Sequence, residues 1–174
     1  RLLYARAMDW DVAPTAFMEY VTLQRGTSPA LVYSSDDGFY NANPLGTDTP
    51  RMFANQDVVD SGPNDHGAHF RFDFGTLAPG ASREFTIGYG AAGNEVDAKT
   101  ALTAFGAEAY SLGKPSENPV GTPNKDGTPN TFIFAFKGIG GSSLFAPPNP
   151  VPVDSPFALL ALGAALAFVG RKKR

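Results

Sequence analysis

Alternation of apolar and polar residues at every second position constrains this chain more than any other feature. It is clearest in residues 69–74, 82–89 and 131–137, where every second residue is aromatic or β-branched: Phe70, Phe72, Phe74; Phe85, Ile87, Tyr89; Phe132, Phe134, Phe136. Because successive side chains of a strand point to opposite faces, this repeat predicts β-strands with one face in a core. The 19 glycines and 15 prolines indicate many turns between short strands.

Further strands are predicted at residues 3–12, which alternate with a period of two, at 17–23, which are rich in aromatic and β-branched side chains, and at 30–34. Residues 44–68 have little periodicity, so a loop is predicted there, with Phe53 and Val58-Val59 as candidates for short edge strands. The turn sequence Leu77-Ala-Pro-Gly80 predicts that strands 69–74 and 82–89 form a β-hairpin. Strand 131–137 is apolar on both faces and is expected in the centre of a sheet or under a helix.

One amphipathic helix is predicted over residues 94–112. Asn94 is a favourable N-cap, and Gly113 follows the last apolar position, with Gly106 as a weak point inside the helix. Together these elements predict a mainly β protein, an antiparallel β-sandwich of seven or eight strands with one helix. An α+β sheet layered on that helix is the alternative.

Composition excludes several classes of function. The net charge is −3, and the basic residues cluster only at the C-terminal end, so a nucleic-acid-binding surface is not expected. The chain has no cysteine, which excludes disulfides, thiol nucleophiles and cysteine-bound zinc. No Gly-x-Ser-x-Gly motif and no glycine-rich phosphate loop followed by a helix is present. We therefore predict a non-enzymatic protein with no catalytic residues.

Two acidic stretches are candidates for binding. Asp57, Asp60 and Asp65 lie near two histidines in a turn-rich segment, and oxygen ligands of this kind suit Ca²⁺. The favoured interpretation is an ordinary turn with no cofactor, because Asp and Asn side chains often bond local backbone. In Asp9-Trp10-Asp11, an exposed tryptophan between carboxylates would suit a sugar, and a tryptophan buried between strands is the favoured alternative.

The chain divides into three parts: a β-sandwich-like domain over residues 1–137, a Gly/Ser/Pro linker over 138–150, and a C-terminal tail over 151–174. Because the sequence begins at Arg1 and enters a patterned segment at once, we expect that an N-terminal part is missing.

The tail contains an uncharged run from Phe157 to Gly170. As a helix it would extend about 21 Å, which is shorter than the roughly 30 Å hydrocarbon core of a bilayer. The run is apolar on all sides and ends in four cations, which favours a membrane tail over a core helix. The residues expected to form this hydrophobic helix and its basic end are Phe157, Leu159, Leu160, Leu162, Leu166, Phe168, Arg171, Lys172, Lys173 and Arg174.

The layout of the tail resembles the PEP-CTERM type of bacterial sorting signal and its IPTL-like relatives. The resemblance lies in a Val-Pro motif, a short hydrophobic helix and a basic end, with Val151, Pro152 and Ser155 as the sorting motif. It departs from the named motifs at Val153-Asp154, where Glu-Pro is usual, and at Phe157, where the IPTL-like form has Trp. It covers about one seventh of the chain.

The resemblance implies an exported protein that an exosortase recognises and cleaves at the tail. Hosts of such systems often make exopolysaccharide and biofilm. We therefore expect a surface or extracellular-matrix protein of the cell envelope, anchored transiently or permanently by its C-terminus, with the exosortase, the membrane and exopolysaccharide as partners. The alternatives are a carbohydrate- or calcium-binding adhesion module, and a fragment of a secreted hydrolase that lacks its catalytic part.

Overall fold

The computed structural model describes residues 1–39, 42–46 and 52–145, which form two antiparallel β-sheets and one short helix. The elements are β1 (Leu3–Asp9), β2 (Glu19–Gln24), β3 (Leu31–Ser35), β4 (Val58–Asn64), β5 (Gly67–Asp73), β6 (Thr86–Ala92), α1 (Glu95–Phe105), β7 (Ala109–Pro115) and β8 (Thr131–Lys137). One sheet has the strand order β1-β5-β3 and the other β4-β2-β7-β8-β6. The prediction of a mainly β protein with one helix is confirmed.

The space between the two sheets is filled by aromatic rings. Phe70 and Phe72 of β5 meet Phe134 and Phe136 of β8, with ring centroids 4.8–5.7 Å apart, and all four side chains are fully buried. Burial of one such side chain contributes about 1.5–3 kcal/mol, so these rings are a main source of the sandwich's stability. The alternation seen in the sequence therefore identifies the core faces of β5 and β8 correctly, whereas Tyr89, predicted to face inward in residues 82–89, is 51% exposed.

The opposite face of the larger sheet carries the helix. Ala98 and Leu102 of α1 pack on Ile133 and Ala135 of β8, which point away from the aromatic core. Strand β8 is therefore an inner strand, between β7 and the edge strand β6, and it lies under the helix, which is one of the two positions that its apolar faces predict. The structure has three layers: the smaller sheet, the larger sheet and the helix.

The predicted extent of the helix is wrong at its C-terminal end. Asn94 caps the helix as expected, because its Oδ1 accepts a hydrogen bond from the Asp97 N–H at 2.9 Å. The helix ends at Gly106, whose φ of 76° is left-handed and favours glycine, and residues 109–115 form β7. This strand is buried on both faces between β2 and β8. A continuously buried strand has no period of two, so its sequence does not distinguish it from a helix.

The predicted hairpin of residues 69–74 with 82–89 is also wrong. Strand β5 pairs with β1 and β3, whereas β6 is an edge strand of the other sheet and pairs with β8. The connection carries the chain from one sheet to the other, and the Phe74 and Phe85 rings stack across it at 5.1 Å. Alternation specifies which face of a strand is buried but not which strand pairs with it.

Residues 138–145 are packed against the domain, although their composition predicts the start of a linker. The Glu108 carboxylate accepts hydrogen bonds from the backbone N–H groups of Gly138, Ile139 and Gly141 at 2.7–3.0 Å. Ile139 is fully buried in the aromatic core, and Leu144 donates its N–H to the Ala107 carbonyl at 2.8 Å. The sandwich-like domain therefore extends to residue 145.

The remaining linker residues 146–150 and the predicted tail 151–174 lie outside the described residues, and so do the sorting motif and the hydrophobic helix expected there. Within the described ranges, no helix has the length and apolar character that crossing a membrane requires.

Candidate functional site at the Asp9 end of the sandwich

The strand registers bring several loops together at one end of the sandwich. Asp9 of β1 pairs with Gly67 of β5, and Glu19 of β2 pairs with Pro115 of β7. We call this the Asp9 end. It carries the loops before β2, β5 and β8 and the N-terminus of α1. Loops held at one end of a rigid sandwich are a common location for binding residues.

Three carboxylates converge at the Asp9 end, and we call them the carboxylate cluster: Asp9, Asp11 and Asp65. One oxygen from each lies within 4.8 Å of the others. None of the three forms an ion pair with a cationic side chain of the described residues. Asp65 Oδ1 is buried and accepts no hydrogen bond there. Partial burial, and then repulsion from Asp11 and Asp65, raises the pKa of Asp9.

A cleft of about 330 Å³ adjoins the carboxylate cluster. Its walls are mainly apolar, and its lining residues are Met8, Asp9, Trp10, Asp11, Val12 and Phe132. We call it the Trp10 cleft. Two members of the carboxylate cluster thus contribute to an apolar pocket, which is an arrangement typical of small-ligand sites.

Trp10 is buried, as the favoured interpretation of the sequence has it, and only 5% of its surface is exposed. Its ring lies so close to Gly113 that a Cβ at that position would stand 2.5 Å from the indole, so only glycine fits there. The indole Nε1 donates to Ser111 Oγ at 3.1 Å. These contacts fix the ring as one wall of the cleft.

Glu19 holds the loop that follows Trp10. Its side chain is fully buried, and its Oε1 accepts the backbone N–H groups of Val12 at 3.0 Å and Phe17 at 2.7 Å. Burial raises the pKa of Glu19, although these backbone donors oppose the effect. The loop that carries Asp11 is therefore tied to the start of β2.

The two histidines do not converge on one site. His66 Nδ1 lies 3.0 Å from Asp36 Oδ2 in a buried pair, whereas the ring of His69 packs against Tyr33, with centroids 5.5 Å apart. Burial by itself would raise the pKa of Asp36, but the hydrogen bonds with His66 and the backbone N–H of Phe53 and the attraction to His66 together outweigh it, and the pKa lies below its ordinary value. The pair joins the end of β3 to the start of β5, which is a structural role.

A second set of charged side chains at the Asp9 end forms ion pairs within the chain. It consists of Lys114, Glu95 and Asp60, and we call it the Lys114 network. Lys114 Nζ donates to Glu95, to Asp60 Oδ1 at 2.8 Å and to the Lys125 carbonyl at 3.3 Å. Its side chain is only 3% exposed. The network ties β7 to β4 and to the start of α1. Since its members are far apart in sequence, no spacing in the chain predicts it.

The three aspartates predicted as a metal site have separate contacts. Asp57 Oδ1 accepts the backbone N–H of Arg25 at 2.8 Å, and Asp60 bonds Lys114 and Thr22. Asp65 belongs to the carboxylate cluster. The structure thus brings Asp65 together with Asp9 and Asp11. These two aspartates flank Trp10 in the segment that the sequence suggested as a sugar site. Chain proximity at 57–65 suggested the wrong neighbours for Asp65, because β4 and β5 diverge into different sheets.

The Asp9 end as a whole offers carboxylate oxygens beside apolar walls, which is chemistry for binding a cation. Comparison with known proteins finds no matching family model, no similar curated protein and no similar solved structure.

Proposed function

We propose that this protein is an exported bacterial surface or extracellular-matrix protein whose β-sandwich domain is sorted or anchored through the C-terminal tail. The role is non-enzymatic. An exosortase-like enzyme processes the tail, the membrane holds it during export, and exopolysaccharide is the surrounding matrix.

The tail sequence is the first support for this proposal. A Val-Pro motif at Val151-Pro152 precedes an apolar run that ends in Arg171-Lys-Lys-Arg174. A run of this kind partitions into a bilayer, and cations at its end stay with the headgroups on the cytoplasmic side.

The observation that carries the proposal furthest is where the chain leaves the domain. Strand β8 begins at the Asp9 end and finishes at Lys137 at the opposite end. Residues 138–145 are then fixed at that opposite end by Glu108 and Ala107. The Asp9 end, with the Trp10 cleft, therefore lies at the end of the domain opposite to Lys137, and a tail attached after residue 145 leaves that end free for binding in the proposed arrangement.

The experiment is intact-mass spectrometry of the protein recovered from its native cells, after separation of membrane, soluble and extracellular fractions. We expect a mass that lacks roughly the last two dozen residues, in the envelope or extracellular fraction. A full-length chain in the membrane fraction would contradict processing and leave a plain tail anchor. A full-length soluble chain inside the cell would contradict the proposal altogether.

A matched pair of variants separates the sorting motif from the apolar run. Replacement of Val151-Pro152 by Ala-Ala leaves the hydrophobicity of residues 157–170 unchanged, so we expect an uncleaved protein that still reaches the membrane. Replacement of Leu160 and Leu162 by Asp lowers the hydrophobicity of the run, and we expect loss of membrane association.

A further inference from the structure

We infer that the Trp10 cleft binds an organic cation, a primary ammonium group carried on a short apolar chain such as a lysine side chain of a partner. This inference goes beyond the proposed function and does not depend on how the tail is processed. It rests on three features of the Asp9 end: uncompensated charge, apolar walls and a fixed shape.

The charge of the carboxylate cluster calls for a cation. Asp9, Asp11 and Asp65 repel one another at close range, and the described residues supply no cationic partner. The buried Asp65 Oδ1 lacks a donor. An external ammonium group offers three N–H donors and one positive charge, so it both satisfies oxygens and removes the repulsion.

The walls of the Trp10 cleft favour a cation that has an apolar body. Met8, Trp10 and Phe132 border the same space as Asp9 and Asp11. An alkyl chain placed there removes apolar surface from water, while its ammonium end reaches the carboxylates at the rim. The volume of about 330 Å³ lies at the small end of the range for ligand pockets, which suits a single side chain.

The cleft is already formed without a ligand. Ser111 and Gly113 fix the Trp10 ring, and the Glu19 carboxylate fixes the backbone at Val12 and Phe17. A site whose walls are held by the fold loses little conformational entropy when it binds.

A bare metal ion would use only part of this site. Ca²⁺ takes about 6–8 oxygen ligands, and its coordination makes no use of apolar walls. A lysine-like cation uses both the carboxylates and the hydrocarbon surface, so we place it ahead of a metal.

Trp10 is the single tryptophan of the chain and lines the cleft, so its fluorescence reports changes at the cleft without a signal from another tryptophan. The full chain is titrated with butylammonium chloride, a mimic of the lysine side chain. Butanol provides the apolar chain without charge, CaCl₂ provides charge without the chain, and NaCl at matched ionic strength controls for screening. We expect a saturable change in Trp10 fluorescence with butylammonium and none with butanol or NaCl.

Each other outcome contradicts the inference in a defined way. A response to CaCl₂ without one to butylammonium would make the carboxylate cluster a metal site. Equal responses to butylammonium and butanol would make the cleft a neutral apolar pocket. No saturable response to any probe would mean that the cleft has no such ligand.

Charge-removing variants test which residues carry the response. For Asp9→Asn with Asp11→Asn, we expect butylammonium affinity to fall about tenfold or more, equivalent to about 1.4 kcal/mol. Glu84→Gln, which removes a charge from an exposed residue outside the cleft, is the matched control and should bind as the wild type does. A thermal melt of each variant establishes that it is folded. Unchanged affinity in the folded double variant would overturn the inference.

Discussion

The Lys114 network and the carboxylate cluster lie at the same end of the sandwich and differ in one respect. In the Lys114 network, the chain supplies the cation: Lys114 joins Glu95 and Asp60 and is almost fully buried. In the carboxylate cluster, Asp9 and its two neighbours are close together, and the described part of the chain provides no cation for them.

The pKa shifts of Glu95 and Asp9 reflect the presence of a cation in one group and its absence, among the described residues, in the other. Burial would raise the pKa of Glu95, but Lys114 and Lys99 outweigh it, so the pKa is lowered. The pKa of Asp9 is raised, by partial burial and by the charges of Asp11 and Asp65. Ionised Glu95 therefore stabilises the fold and ionised Asp9 destabilises it. A paired group serves the structure, whereas an unpaired group is available to a ligand.

The largest effect is expected from removal of the buried cation, in Lys114→Met. Glu95 would keep a buried charge without its main partner, and we expect the free energy of unfolding to fall by about 3 kcal/mol, the lower end for a broken buried pair, because Asp60 is partly exposed. Chemical denaturation at neutral pH measures this loss.

Lys99→Met is the matched control for that variant, since Lys99 also pairs with Glu95 but is 44% exposed. We expect a loss of about 0.5 kcal/mol or less. Equal losses in the two variants would contradict the view that burial makes Lys114 the essential cation.

Neutralisation of the buried acid, in Glu95→Gln, is expected to cost about 2 kcal/mol at neutral pH, because hydrogen bonds to a charged group are lost. The pKa of Glu95 in the folded protein lies below the ordinary 4.5, so its contribution is present above that value and is lost as pH falls through the folded pKa. The difference between wild type and variant should therefore shrink in acid. A difference that stays constant down to about pH 3 would contradict this assignment.

A cation built into the carboxylate cluster, in Asp11→Lys, should make it resemble the Lys114 network. We expect the free energy of unfolding to rise by about 1 kcal/mol, near the upper limit for an exposed pair, and the fluorescence response to butylammonium to disappear. Glu84→Lys introduces the same charge change outside the cluster and is the control. If the two variants are equally stable, the cluster is not short of a cation.

The smallest effect is expected from Asp9→Asn, a gain of about 0.5 kcal/mol at neutral pH as repulsion is relieved. Because the folded pKa of Asp9 is raised above 3.8, the wild type loses stability relative to this variant as pH rises from 3.8 through the folded pKa.

Asp126→Asn is the control for Asp9→Asn, because its effect on the free energy of unfolding should change with pH in the opposite direction. Asp126 Oδ1 accepts hydrogen bonds from the backbone N–H and the hydroxyl of Thr128, and the pKa of Asp126 is lowered. The wild type should therefore gain stability relative to Asp126→Asn as pH rises from the folded pKa of Asp126 to 3.8, below the pH range in which Asp9 acts. The same direction in both variants would contradict the contrast between paired and unpaired carboxylates.

Sequence patterns predict which face of a strand is buried better than they predict which strands pair. The alternation in residues 69–74 and 131–137 predicts Phe70 and Phe134 in a core, and the two apolar faces of β8 predict that it lies under the helix. The predicted hairpin failed because the turn after Phe74 joins two sheets. The helix was extended too far because β7 is buried on both sides, which removes the period that identifies a strand.

The candidate site was predicted only in part. The sequence places Asp9 and Asp11 on either side of Trp10 and favours Trp10 in the core. It groups Asp65 with Asp57 and Asp60, because these three aspartates are close along the chain, whereas the structure places Asp65 beside Asp9 and Asp11. The sequence assigns neither Phe132 nor Lys114 to the Asp9 end, since each meets residues there that lie far away along the chain.

The sequence by itself determined that this protein is mainly β, which side chains enter the core and where the helix begins, because these depend on local periodicity and capping. The tertiary structure decided which strands pair, which carboxylates meet and which of them receive a cation. These features depend on contacts between residues that are distant in sequence. Gly113 leaves room for the Trp10 ring, and Lys114 contacts Glu95 because β7 lies in the sheet that packs against α1.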